Sequence, residues 1–419
     1  MALGSVDKHA MPLASSRWRL PLAVRIFERY QGWVGAGVIL IFFSGLDHYL
    51  YSEWQVGVPL YWMAGAGAAC LPILMFRWRR IVTRETGMLA FVLLYLIFAM
   101  TGFLNSSQSA IAEQVFQAML LTVLFLSMST VAFSSPRAIE LGLYAVVYVV
   151  IVGAVFNFVD ILLPGTLHMA AWRAEGIQSN PNAAAIALVL GMMASLSMVT
   201  PRWRGAFVWL VSVAVLLTLS RSGIIVLTLA IVIALYQRLI GWRTLVAAAV
   251  AAFGAFFVAI QLLSDVLPLP IDSIRNLVVD DRLSWVVYGE KDHSLVEREE
   301  LVYAGIELFS NEFWLGAGVG ATKEWAYPFS PHNAYLMFAA EHGIAGLLII
   351  PAFGAALIHG ATGAARKRAL ASVMILMVWS LFEYNVLDHP PLLAILALVA
   401  AGSALSRASP LSQRSLAIP

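Results

Sequence analysis

Apolar runs of about 18 or more residues recur along the whole chain, and no other feature limits its possible folds as far. An α-helix rises 1.5 Å per residue, so each run is long enough to cross a hydrocarbon core of about 30 Å. A transmembrane β-barrel would show short segments of alternating hydrophobicity instead. Of 419 residues, 61% are hydrophobic and 12% charged, whereas a soluble domain carries charge on about 25% of its residues. The expected fold is therefore an all-α polytopic membrane protein, a single transmembrane domain over residues 1–419.

Twelve spans are expected, at 33–50, 57–76, 87–104, 114–133, 141–163, 183–200, 205–219, 223–240, 244–263, 333–359, 369–387 and 391–406. Splitting 205–240 at Leu219-Ser220-Arg221-Ser222-Gly223 has one alternative, a single long helix with a buried arginine. Loop charge favours the split. With the N-terminus inside, the cytoplasmic segments hold nineteen of the 26 basic residues, as the positive-inside rule requires. The other seven are Arg173, Arg221, Arg275, Arg282, Lys291, Arg298 and Lys323, five of them in one long loop that the rule largely exempts. Both termini are thus expected in the cytoplasm of a cell whose inner membrane holds the chain. Residues 1–32, with Arg17, Arg19, Arg25 and Arg29, read as a cytoplasmic interfacial arm rather than a cleaved signal peptide, and 407–419 as a cytoplasmic tail.

A net charge of +2 offers no basic face for nucleic acid. The single cysteine, Cys70, excludes an intrachain disulfide and any cysteine-based metal site. Arg173 and Arg221 stand out because they are the only basic residues in the short external loops. Charge at such a position is a functional-site hypothesis by default, the alternative being an interfacial salt bridge.

Residues 264–332 form the only loop long enough to fold, and a structureless loop of that length is unusual. Helix-like stretches such as 295–310 suggest amphipathic helices lying over the external face. The loop ends in Ser330-Pro331-His332-Asn333, where proline favours a helix start. If one helix ran on from there, Gly343 and Gly346 would fall within roughly 40° of the face of His332, at 100° per residue. Ordinary close packing of small residues explains the glycines equally well.

At these residues the chain resembles the bacterial O-antigen ligase family. His332-Asn333, nine arbitrary residues and Gly343-Ile344-Ala345-Gly346 match its signature. Other stretches resemble the wider ligase and polymerase superfamily: Arg173-Ala174-Glu175-Gly176 with Asn180-Pro181-Asn182, Thr218 to Gly223, and Arg298-Glu299-Glu300-Leu301 leading to Leu315-Gly316-Ala317-Gly318-Val319-Gly320. Val302-Tyr303 departs from a frequent tryptophan, and Arg282 competes with Arg298 as the loop arginine. The resemblance implies a membrane-embedded (GT-C-like) glycosyltransferase with one large periplasmic loop and a periplasmic site. It would move O-antigen from undecaprenyl pyrophosphate to a lipid A-core sugar, without metal or cofactor.

The residue types suit that chemistry. A departing pyrophosphate carries two to three negative charges, and arginine meets phosphate oxygens with a fork of donors whose charge cannot be lost. Arg221 and Arg298 are the expected clamp, stabilising charge on the leaving group. A histidine titrating near neutrality can take a proton from an acceptor hydroxyl, which is one expected role for His332; phosphate ligation is the other. Arg173, Asn180, Asn182, Asn333, Gly343, Gly346 and Arg282 are the expected substrate-binding set. No external Asp-x-Asp pattern proposes a metal, since Asp280-Asp281 is adjacent rather than spaced. Asp47-His48 and Asp388-His389 read as interfacial helix-end pairs. Membrane lipid is an expected partner and nucleic acid is not.

Three other functions compete. An O-antigen polymerase shares fold and donor, but the nine-residue spacing to Gly-x-x-Gly favours a ligase. Protein O-oligosaccharyltransferases usually carry a sizeable C-terminal soluble part, and little chain follows the last expected span. A transporter is disfavoured by the lack of a clear internal repeat and by the single large one-sided loop.

Overall fold

Small polar caps and prolines mark where many of the helices begin. The computed structural model describes residues 21–163, 173–178, 180–250, 293–325 and 330–407, and the described residues contain helices and no strand. In chain order the helices are α1 (Leu22–Val38, continued by a π-helical turn over Ile39–Phe43), α2 (Leu46–Trp54), α3 (Pro59–Arg84), α4 (Thr86–Leu104), α5 (Ala110–Ala132), α6 (Pro136–Leu162), α7 (Pro181–Ser195), α8 (Pro201–Leu217) and α9 (Arg221–Tyr236). Residues 242–250 are also helical. There follow α10 (His293–Asn311), α11 (Ala321–Glu324), α12 (Ala334–His342), a 3-10 stretch at Gly343–Leu348, α13 (Ile349–Ile358), α14 (Gly363–Trp379) and α15 (Pro390–Arg407). Ser109, Ser135, Asn180, Ser220 and Asn333 each accept a backbone N–H from the first turn that follows, which satisfies a donor the helix cannot use internally. Proline opens α3, α6, α7 and α8, where its missing N–H costs nothing.

Among the described residues, seven helices are long and apolar enough to cross a membrane: α3 to α6, Pro181–Met198, Ala334–Ile358 and α15. The bent pair Leu22–Phe43 and Leu46–Trp54 raises the number to eight. The polytopic helical class is therefore as expected, while among the described residues length and composition do not establish twelve crossings. The expected spans at 205–219 and 223–240 correspond to α8 and α9, and 369–387 overlaps only the later part of α14; the three helices have 17, 16 and 17 residues. At 1.5 Å per residue these reach about 24–26 Å, less than the apolar core. Most of the expected span 244–263 lies outside the described residues, as do residues 264–292 and 326–329 of the long loop, residues 1–20 of the arm and residues 408–419 of the tail.

The first expected span, 33–50, is not one straight helix. Its two halves meet at 47°, with Gly45 in the left-handed region at φ 79°. The Gln178 amide donates to the carbonyls of Phe43 at 3.2 Å and Ser44 at 2.9 Å, so the backbone groups freed by the bend are not left bare in an apolar setting. A Cβ on Gly45 would stand 3.0 Å from the Ile177 carbonyl.

Helix α7 is the axis of the body, with α6, α8, α9, α14 and α15 against it. In its spanning window 78% of residues are buried, against 11% for the peripheral α3. Met75, Phe76 and Tyr236 point outward and are largely exposed, as lipid-facing side chains should be. Arginines gather at one end, where Arg204 donates to the Leu239 carbonyl at 3.2 Å and Arg368 to Ser197 at 3.1 Å. Helices α7, α9 and α12 all begin at the opposite end.

Candidate active site

The break between α8 and α9 builds one wall. Thr218 turns its hydroxyl back to the Val215 carbonyl at 2.7 Å and accepts the Ser220 N–H at 3.2 Å. Leu219 adopts φ 51°, a conformation that costs a non-glycine residue on the order of 1 kcal/mol or more and tends to collect at functional sites. Ser220 then caps α9 through the Gly223 N–H at 3.0 Å. A Cβ on Gly223 would lie 2.6 Å from that of Ala185, so α9 packs closely on α7. Arg221 is the first residue of α9 and is half-buried. Its guanidinium adds to the partial positive charge of the helix start.

The Arg173 segment crosses from this break to α6. Arg173 donates through Nε to the Thr218 carbonyl at 3.0 Å, and the Ala174 N–H to the Leu217 carbonyl at 3.3 Å. At the other side Asp160 accepts the N–H groups of Glu175 and Gly176 at 3.0 and 2.8 Å. Arg173 Nη2 also reaches Asn182 Oδ1 at 3.4 Å. Asn180 serves as the cap of α7, accepting the Ala183 N–H at 2.8 Å.

His332 and Asn333 stand at the mouth of α12. Asn333 is the cap, accepting the Leu336 N–H at 3.1 Å. The Ala334 N–H donates to the carbonyls of Ser380 at 2.8 Å and Glu383 at 3.1 Å. That backbone link brings the Glu383 carboxylate to 3.9 Å from His332 Nδ1. The other carboxylate oxygen accepts from Asn182 Nδ2 at 2.6 Å. Tyr384 meets the imidazole edge to face, with centroids 5.5 Å apart. Burial, and then the charges of Asp388 and Glu383, hold the Tyr384 hydroxyl protonated above the usual tyrosine range.

The structure thus brings Arg173, Asn182 and His332 into one hydrogen-bonded and ion-paired set, with Arg221 three residues beyond the carbonyl that holds Arg173. Arg298 lies on α10, half-buried. Leu301, fully buried, and Gly305 follow it on the same helical face by three and seven residues. A Cβ on Gly305 would fall 3.0 Å from Pro331 and 2.9 Å from Leu336. Arg298 is therefore on the face that covers the His332 segment, about 10 Å of helix rise before that contact. Arg282 lies outside the described residues.

The glycine motif differs from the expected continuous helix. His332 precedes α12, and α12 stops at His342, so His332, Gly343 and Gly346 do not share a helical face. Gly343 has φ 67°, and a Cβ there would lie 2.3 Å from the Trp314 carbonyl oxygen; one on Gly346 would lie 1.9 Å from that of Phe338. The loop motif answers from the other side, with Ala317 and Gly318 N–H groups donating to Ala340 and Glu341 carbonyls at 2.8 and 3.0 Å. Close backbone packing, the second of the two sequence readings, accounts for both glycines.

Glu383 escaped the sequence reading because it falls inside the expected span 369–387. Helix α14 ends at Trp379 instead, and residues 380–389 turn back toward α12. A carboxylate within an apolar run was the available signal. Asp47, in contrast, is buried in the first turn of α2.

Comparison with curated proteins finds none that matches the chain. The family model described as O-Antigen ligase matches residues 206–350, a stretch that starts in α8 and contains Arg221, Arg298, His332 and the Gly343–Gly346 motif. Over that stretch the chain is similar to the O-antigen ligase family, and the described residues form a helical body with several helices long and apolar enough to cross a membrane.

Proposed function

We propose that the protein transfers O-antigen from undecaprenyl pyrophosphate to a sugar of lipid A-core at the periplasmic face of the inner membrane. What supports the reading is that the stretch similar to the O-antigen ligase family contains Arg221, Arg298 and His332, and that α7, α9 and α12 begin at one end of the body, where we place the donor cleft. Three helix starts and Arg221 give that end the positive potential a pyrophosphate needs. Arg298, on the helix that covers the cleft, is the second cation of the clamp. Together they hold the diphosphate and stabilise the charge it gains on leaving.

His332 is the base. Its ring takes the proton of the acceptor hydroxyl as the hydroxyl oxygen attacks the anomeric carbon. The bond from that carbon to the pyrophosphate breaks, and undecaprenyl pyrophosphate departs with the electron pair. Arg173, Asn180, Asn182 and Asn333 hold the walls of the cleft in place through the bonds described above.

Deleting the gene in its host and separating lipopolysaccharide on a gel tests the reading. Loss of the whole ladder, with lipid-linked polymer accumulating, is the ligase outcome. Core bearing a single repeat would show a polymerase instead.

A further inference from the structure

We propose that Glu383 is the positioning residue for His332: its carboxylate keeps the proton on Nδ1, makes Nε2 the basic nitrogen that acts on the acceptor, and holds the imidazolium once it forms. This rests on the reading of His332 as the base.

The polarity of the contacts requires that arrangement. Arg173 has only donors, so the Asn182 atom facing it at 3.4 Å is the oxygen. The Asn182 amide nitrogen must then face Glu383, and it donates there at 2.6 Å. Reversing the amide would set two donors against each other at Arg173 and two acceptors at Glu383. One carboxylate oxygen is thereby engaged, and the other is turned toward His332 Nδ1 at 3.9 Å. An ionised carboxylate can only accept, so the histidine nitrogen it attracts is the protonated one.

The separation is an ion-pair distance and about 1 Å longer than a hydrogen bond. Catalytic contacts commonly tighten only when substrate is bound. Both partners are carried on connected backbone, since the Ala334 N–H binds the Glu383 carbonyl at 3.1 Å. Their side chains are 22% and 12% exposed, which keeps the pair from being screened as a surface pair is. The proton accounting closes. The acceptor hydroxyl gives its proton to Nε2, the glycosidic C–O bond forms, the C–O bond to pyrophosphate breaks, and the imidazolium beside Glu383 later yields the proton to water.

The test uses the full chain purified in detergent, a lipid-linked glycan as donor and rough lipopolysaccharide as acceptor. Expected for Glu383→Gln is a fall in kcat of about 100-fold or more, with donor Kd within about twofold. Glu383→Asp should recover activity to within about tenfold. A Glu383→Gln enzyme with kcat near that of the parent overturns the proposal. Should Glu383→Gln not fold, Asn182→Ala serves: a lowered kcat at unchanged donor Kd supports the chain of contacts, and an unchanged kcat overturns it. Transfer that survives His332→Ala sinks the base reading itself, whereas abolished transfer there with a silent Glu383→Gln removes only the positioning role.

Discussion

At the scale of single residues, charge geometry separates the roles. Replacing Arg221 or Arg298 by lysine keeps the charge and loses the fork that meets two phosphate oxygens at once. Activity is expected to fall at least tenfold, donor affinity to weaken, and alanine to do at least as much damage. His332→Ala is expected to abolish transfer while donor affinity stays near that of the parent, because a base matters only on the way to the transition state. Binding of undecaprenyl pyrophosphate to the three variants checks this. Equal weakening in His332→Ala and Arg221→Ala would make the histidine a phosphate ligand. Far from the cleft, Glu85 sits between α3 and α4, where burial outweighs the pull of Arg84 and raises its pKa to about 8. The folded chain therefore keeps that carboxyl protonated when the unfolded chain has ionised it. The stabilisation is complete below about pH 4.5 and is lost as pH rises toward 8, by at most about 1.4 kcal/mol per pH unit. Glu85→Gln should flatten this part of the dependence of thermal midpoint on pH, and an unchanged slope would count against it.

At the scale of elements, the cleft depends on helices that stop early. Helix α8 ends at Leu217, α9 starts at Arg221 and α14 ends at Trp379, and these ends supply the carbonyls and side chains that hold Arg173, His332 and Glu383. Irregular backbone at this depth is tolerable where it lines a cavity and its polar groups are met, and the bonds to Thr218, Ser220 and Ala334 meet them. The break after α12 works by contact. Gly343→Ala would force a Cβ into the Trp314 carbonyl in a backbone conformation alanine avoids, at a cost of about 3 kcal/mol or more. A sharp drop in detergent melting temperature is the expected result, and a stable, fully active Gly343→Ala protein would contradict the packing role.

For the whole molecule, one end is rich in arginine and the other holds the cleft. If the first faces the cytoplasm, cysteines placed at 77–86 or 366–368 should resist impermeant reagents added from the periplasm, and cysteines in 264–332 should react. The reverse pattern would remove the periplasmic site. The expected reliance on arginines rather than a metal has its own check: transfer should persist in EDTA. Loss in chelator, restored by a divalent ion, would refute it.

The helical membrane class was legible in the sequence because apolar run length is a one-dimensional quantity, read against the thickness of a bilayer. The helix start beside Pro331 was legible for the same reason, since proline acts on the backbone next to it. His332, Arg221 and Arg298 could be named from short patterns. What only the tertiary structure decided is the partnership around them. Glu383 lies 51 residues from His332 and 201 from Asn182, and nothing local tells an apolar run that its helix stops at Trp379. Likewise the left-handed turn at Gly343 is set by the Trp314 carbonyl packed against it, a contact from another element that no count of residues along α12 contains.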